Sequence, residues 1–394
     1  MAVRITHNGA AEIAFETFGA HGGRPLLLVM GLDSPMQWWP DGFCAELAGH
    51  GFHVARFDDR DCGRSTRYRE PERPRRTGRA GLDIARLVHH QPAYTATDMV
   101  DDSIAVMDAL GWDGAHIVGA SLGASLALGA AVRHPDRVRT VVSMMGLPTG
   151  FRPAAAARYV NVPGFLRFAM LGTRTPTTVW QDLEAQVETA RMLASPSHPF
   201  DEQWAYATAS ACRAGAPGDP ATARRQLAAM RADGGLLRRA PEIVAPLLVL
   251  HGADDPLIKP SAATALARQV PGAKCVIYAD MGHEIPQHLW AEIAGEIDRH
   301  ARLGEPRREP AGAVADSHAA GLNRDRSRDA ERSRARNQEW NQVRSGARSH
   351  TRTGLSSRSS TTLAGKSSAS RAGTRAVRRA GRSARQQAAG TDNH

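Results

Sequence analysis

The chain of 394 residues has few cysteines, no long apolar run and, over its first 300 residues, almost no net charge. The four cysteines, Cys44, Cys62, Cys212 and Cys275, are scattered. They form no C-x-x-C pair and match no metal-ligand spacing, so neither a zinc site nor a disulfide framework is indicated. Cys275 falls in an apolar, strand-like run and is expected to be a buried free thiol. No stretch reaches the roughly 18 apolar residues that a membrane span needs. The opening Met1-Ala2-Val3-Arg4-Ile5-Thr6-His7 has no apolar signal region, so a soluble, cytoplasmic protein is expected. No internal repeat of fixed period is visible.

The charge is unevenly spread. The formal net charge is +10, yet residues 301–394 alone hold 20 Lys and Arg against 8 Asp and Glu. The first 300 residues keep 30 basic and 32 acidic side chains. They therefore show no basic bias towards nucleic acid. Beyond about Leu303 the composition turns to Arg, Ser, Ala, Gly and Thr, with Trp340 the only aromatic. Such a segment buries too little apolar area to offset its ordering entropy, and residues 303–394 are expected to be a disordered tail. Electrostatic contact with RNA, DNA or anionic lipid is one reading of it. A solvated extension without a role, or a read-through, is the other.

What is present in residues 1–302 is an alternation of strands and helices. Asn8-Gly9 separates two short alternating runs, a hairpin signal. Residues 25–30, Pro-Leu-Leu-Leu-Val-Met, form a continuous apolar run that suits a strand covered on both faces of a parallel sheet. A helix over 37–50, a strand over 53–57 and an exposed Arg- and Pro-rich loop over 67–79 follow. The next helix covers 95–110, with Thr95 or Thr97 near its start and Asp98, Asp101 and Asp102 in its early turns, as the helix dipole favours. Strands at 115–118 and 138–145 flank a helix at 122–132. Residues 147–240 read as helical with no convincing strand. The alternation resumes with a strand at 246–250, a helix at 262–269, a strand at 273–278 and a helix at 285–300. The fold class is α/β, a mostly parallel sheet of about eight strands flanked by helices. The core would comprise 1–146 and 241–302, with 147–240 inserted as a helical cap.

Gly119-Ala120-Ser121-Leu122-Gly123 fits Gly-x-Ser-x-Gly, between a short β-prone run and an Ala- and Leu-rich helix. A serine on a sharp turn between strand and helix crowds the residues two positions away, and glycine relieves that crowding. The plain alternative is an ordinary serine at a helix start. A serine hydroxyl needs a base, and the base needs an acid to orient it. His283, in Asp280-Met281-Gly282-His283-Glu284, lies between the last strand and the last helix. Gly282 would free the backbone to point its imidazole across the sheet. His288 falls inside the following helix. His251-Gly252-Ala253-Asp254-Asp255-Pro256 offers two acids after a strand. Asp255 is preferred because Pro256 biases it towards an extended conformation, leaving Asp254 to bond the turn. The loop after 138–145 carries no carboxylate. Backbone N–H groups of Leu122 and Leu32 are expected to receive the oxyanion.

Other residues invite a blander reading. Asp59, Arg60 and Asp61 read as a salt-bridged turn rather than a catalytic cluster, and nothing near Cys62 supplies a base. Trp38 and Trp39 either wall the pocket or pack the first helix. Of Trp180, Trp204, Phe165, Phe168, Phe200 and Tyr206, two or three are expected to face a substrate.

These residues together resemble the α/β-hydrolase superfamily. Leu28-Val29-Met30-Gly31, Arg56-Phe57-Asp58-Asp59-Arg60-Asp61-x-Gly63-Arg64-Ser65, Tyr94-Thr95-x-x-Asp98-Met99, His134-Pro135-x-Arg137-Val138 and Pro199-Phe200-Asp201-Glu202 narrow the likeness. They resemble the subgroup that includes aclacinomycin methylesterase. The resemblance covers about residues 1–300. It implies hydrolysis of a small-molecule carboxylic ester through an acyl-enzyme, without metal or organic cofactor. C–C bond, amide or imino-peptide hydrolysis and cofactor-free perhydrolase activity use the same constellation and remain open. Ala124 departs from the pattern, where many relatives carry a second glycine.

Overall fold

The computed structural model describes residues 2–68, 93–148, 157–172, 176–219, 221–232 and 236–305. The expected tail from 306 onward, and most of the expected loop at 67–79, lie outside the described residues.

Eight strands form one sheet: β1 (Arg4–Asn8), β2 (Ala11–Phe18), β3 (Arg24–Val29), β4 (Phe52–Phe57), β5 (Ala115–Ala120), β6 (Val138–Met144), β7 (Leu247–Gly252) and β8 (Lys274–Tyr278). Their spatial order is β1-β2-β4-β3-β5-β6-β7-β8. β1 and β2 pair antiparallel through the Asn8-Gly9 turn, and β2 pairs antiparallel with β4. All remaining pairs are parallel. The central strands have no exposed face: every residue of β4, β5 and β7 is buried. That explains their continuous apolar runs, since both faces are covered.

Two core layers cover the sheet. One face packs against α2 (Ala96–Ala109), α3 (Leu122–Arg133) and α8 (Ser261–Gln269), through residues such as Met99, Leu126 and Leu266. The other packs against α1 (Asp41–Gly49) and α9 (Trp290–Ala301), through Phe43, Leu47, Ile293 and Ile297. Thr95 caps α2: its hydroxyl accepts from the Asp98 N–H while the Asp98 carboxylate accepts from the Thr95 N–H, a full capping box.

Two helix boundaries differ from the sequence expectation, and proline accounts for both. Pro40 splits the expected 37–50 helix into a short 3₁₀ turn, Met36–Trp38, and α1. Pro286 delays the last helix, which passes through a 3₁₀ turn at Gln287–Leu289 before α9 begins at Trp290. Cys275 is also corrected: it is only partly buried, because β8 is the sheet's edge strand.

The insertion after β6 carries four helices among the described residues: α4 (Val162–Gly172), α5 (Val179–Leu193), α6 (Glu202–Gly215) and α7 (Thr222–Ala232). Its one described strand-like contact is an isolated bridge between Val160 and Ile258. Among the described residues no helix is long and apolar enough to cross a membrane.

Candidate active site

In an open parallel sheet, the loops at the carboxyl ends of the strands converge on one rim, where ligands bind. Gly31 and Leu32 follow β3, Ser121 follows β5, Asp255 follows β7 and His283 follows β8. The order of the strands brings these four loops together.

Ser121 sits between β5 and α3 with φ 54° and ψ −114°. Such a backbone is costly for a residue with a Cβ and persists only where the surroundings over-determine it. Here the over-determination is visible. A Cβ on Gly119 would lie 2.1 Å from the Gly123 carbonyl oxygen, and one on Gly123 would lie 2.2 Å from that of Val29. Both flanking glycines are therefore required by backbone contact. Ser121 occupies the cap position of α3, yet its hydroxyl makes no cap hydrogen bond. That sets it apart from an ordinary helix-start serine, whose oxygen accepts from the first turn. The nearest atom to a Cβ on Gly31 would be the Ser121 Cβ, at 3.3 Å, so the loop after β3 passes directly over the serine. Ala124, the departure from the family pattern, is fully buried and packs against Gly146.

His283 is paired with Asp255. The imidazole Nδ1 lies 2.7 Å from Asp255 Oδ2. Oδ1 of the same carboxylate accepts the N–H groups of Leu257 and Ile258, each at 2.8 Å. His251 Nε2 stands 3.3 Å from Oδ2 and 2.9 Å from the Ile258 carbonyl oxygen. Burial disfavours charge on Asp255, but His283, His251 and their hydrogen bonds outweigh it and hold the carboxyl well below its ordinary range. It is an anion fixed on both oxygens. Asp254 points elsewhere: it accepts the hydroxyls of Ser195 at 2.5 Å and Ser197 at 2.6 Å, both from the insertion. The geometry thus separates the two acids, and Asp254 bonds the insertion rather than its own turn.

Ser121 and His283 line one cavity of about 1240 Å³, together with Leu32 and Leu122. Its walls are largely apolar and include Phe165, Phe168, Phe200 and Trp204 from the insertion. Four insertion aromatics thus face it, against the two or three expected. Trp180 and Tyr206 instead stack on one another, ring centroids 5.5 Å apart. The two core tryptophans divide: Trp38 lines the cavity, while Trp39 is fully buried and stacks on Phe43.

The acidic turn after β4 is a structural knot. Arg60 makes a two-point ion pair with Asp102 of α2, at 2.5 and 2.6 Å. Asp61 accepts from Tyr94 Oη at 2.5 Å and from Arg225 Nε of α7 at 2.9 Å. Asp59 is buried with neither carboxylate oxygen bonded. Burial, then Asp102 and Asp58, push its carboxyl well above the ordinary range, which favours the neutral acid.

Sequence reasoning missed what holds the loops in place: Arg225, Ser195 and Gln226. Gln226 is fully buried and accepts the Asp33 N–H at 2.9 Å, fixing the loop beyond Leu32. No local sequence signal marks these residues, because their partners are up to 193 positions away.

A family model described as alpha/beta hydrolase fold matches residues 24–286. Rhodomycin D methylesterase DauP of Streptomyces sp. (strain C5) is 30% identical over 316 residues, spanning 77% of this chain and 99% of that protein. The 2-hydroxymuconate semialdehyde hydrolase of Pseudomonas putida is 30% identical over 217 residues, 54% of this chain and 68% of that one. Among solved structures, the enol-lactonase from Burkholderia xenovorans LB400 superposes with a TM-score of 0.53 at 20% identity, covering 76% of this chain and 99% of that one. At that identity the likeness is one of fold.

Proposed function

The chain belongs to the alpha/beta hydrolase fold family, and from that membership and the geometry of the rim we propose that it hydrolyses a carboxylic ester through a serine acyl-enzyme. The observation that carries the reading is the short His283–Asp255 pair on the same cavity as a serine held in a strained turn with its hydroxyl unspent.

In this mechanism His283 Nε2 takes the Ser121 hydroxyl proton as Oγ attacks the ester carbonyl. Asp255 accepts the Nδ1–H, which fixes the tautomer and stabilises the imidazolium. The backbone N–H groups of Leu122, at the start of α3, and Leu32 receive the developing oxyanion. His283 then returns the proton to the departing alcohol. Water, activated by the same imidazole, releases the acid and restores Ser121. None of these steps calls on a metal or organic cofactor. The insertion acts as a cap whose aromatic wall takes the apolar part of the ester. The methylesterase named above supports an ester as the bond cleaved. C–C bond hydrolysis on the same residues is the competing outcome.

A fluorophosphonate probe is expected to label the wild type and leave Ser121→Ala unlabelled; equal labelling of the two would refute the assignment. A panel of esters, thioesters, amides and β-diketones then reads the bond type. Turnover confined to β-diketones would replace ester hydrolysis by C–C cleavage.

A further inference from the structure

The segment between α5 and α6 does more than roof the cavity. It grips the two loops that carry the acid and the base. The Leu193 carbonyl oxygen accepts the backbone N–H of His283 itself, at 2.8 Å. Two residues on, Ser195 touches both loops at once. Its hydroxyl donates to Asp254 at 2.5 Å, and its backbone N–H donates to Glu284 at 2.6 Å. Asp254 immediately precedes Asp255, and Glu284 immediately follows His283. His198 Nε2 lies 3.0 Å from the same Glu284 carboxylate, and Ser197 adds a second hydroxyl to Asp254. Ser195 is buried, at 3% exposure, so these bonds compete little with water.

The chain is built to permit this approach. A Cβ on Gly282 would stand 2.4 Å from the Leu193 carbonyl oxygen and 2.6 Å from the Ser195 nitrogen. Gly282 has no positive φ. It is therefore needed for close contact with the insertion, rather than for the backbone freedom expected from the sequence.

We propose that Ser195 is a positioning residue that braces Asp255 against His283, bridging their two loops from the insertion. The inference rests on Ser121, His283 and Asp255 being the reacting set. β7 and β8 are neighbours in the sheet, but beyond their ends the two loops are irregular. Asp254 N–H donates to the Met281 carbonyl oxygen at 3.0 Å, a direct tie at the base of the two loops. Ser195 closes the bridge from the other side. An error of about 1 Å in the alignment of reacting groups can cost about a hundredfold in rate. Removing the brace therefore loosens the acid–base pair without altering the apolar wall that binds substrate.

The test is the steady-state kinetics of Ser195→Ala, Ser195→Thr and Ser197→Ala in the full chain, on an ester that the wild type turns over. Ser195→Ala is expected to lower kcat by about tenfold to a hundredfold, with KM within about twofold and the fluorophosphonate labelling rate falling alongside. Ser195→Thr, which keeps the hydroxyl, restores most of the rate. Ser197→Ala, at a residue bonded to the Asp254 loop but not to Glu284, costs markedly less. Wild-type kcat in Ser195→Ala, or equal losses at Ser195 and Ser197, overturns the proposal. Should Ser195→Ala lose its cooperative unfolding transition, Asp254→Ala takes its place, since that side chain is partly exposed and its loss removes the acceptor of the Ser195 hydroxyl. Wild-type kcat there overturns the proposal equally. Labelling of Ser121→Ala would instead overturn the underlying reading of the site, so the two failures are distinguishable.

Discussion

The sheet core and the helical insertion are held together by different physics. In the core, the central strands are wholly buried, and apolar packing on both faces fixes the loops at their ends. The insertion leaves large apolar side chains in the open: Val162, Phe165, Leu166 and Met170 on α4, Val179 and Trp180 on α5. It joins the core through apolar clusters, Leu171 and Met192 with Leu257 and Ile258, and Ala229 and Met230 with the main core, and is positioned by polar contacts, namely Arg225 on Asp61, Gln226 on the Asp33 N–H, and Ser195 on Asp254 and Glu284. Packing is non-directional and adds up over area, whereas hydrogen bonds and ion pairs fix position. The core supplies stability, and the insertion is registered against it at a few points around the cavity.

The sharpest division between the two regions runs through adjacent residues. Asp255 faces the core's histidine and Asp254 faces the insertion's serines. Asp255→Asn is expected to lower kcat by about 10⁴-fold, because an amide can present a donor where His283 needs an acceptor. Asp254→Asn should cost far less. Comparable losses in steady-state assays of the two variants would erase the distinction between the acids.

Next in size is the joint at Arg225. This side chain, 2% exposed, ties α7 to the turn after β4. Arg225→Met would leave the buried Asp61 without its cationic partner, and loss of one member of such a pair typically costs about 3–5 kcal/mol. Urea unfolding checks this. A loss below about 1 kcal/mol would mean that the insertion is held mainly by packing, like the core.

The last effect is a pH trend and belongs to the core alone. Asp59 is held above its ordinary value of 3.8 by burial, then by Asp102 and Asp58. The folded state thus binds a proton that the unfolded chain releases near that value. The stability this contributes is fully present below the unfolded pKa and is lost as pH rises through the folded pKa. Within that window the slope approaches about 1.4 kcal/mol per pH unit. Asp59→Asn cannot ionise, so its unfolding free energy relative to wild type should improve as pH rises above the ordinary carboxylate range. A constant difference above that range would show that Asp59 is ionised in the folded protein.

The strand-end residues were legible in the sequence because each obeys a local rule. Gly119 and Gly123 flank Ser121 because backbone atoms lie where their Cβ atoms would be. Gly146 is crowded too, though less closely, with Ala124 Cβ at 2.8 Å and Ser143 Oγ at 2.9 Å from a Cβ there, yet it belongs to no short motif. The preference for Asp255 over Asp254 rests on Pro256 in the sequence, and it is Asp255 that lies against His283. The acidic turn at 59–61 read correctly as structural, but its partners Asp102 and Arg225 were invisible, since ion pairs across 42 and 164 positions leave no periodic trace. The aromatic wall was legible in kind and not in membership: helical spacing does not tell which face of a cap helix looks inward. The two misplaced helix ends were recoverable, since Pro40 and Pro286 mark both.

Trp38, on the core's 3₁₀ turn, and Trp204, on α6 of the insertion, both line the cavity and meet edge to face with centroids 5.8 Å apart. Two indoles at that separation are optically coupled, so their near-ultraviolet ellipticity reports the distance between the two regions. A change in that signal on adding a ligand would report movement between the insertion and the sheet at the cavity wall.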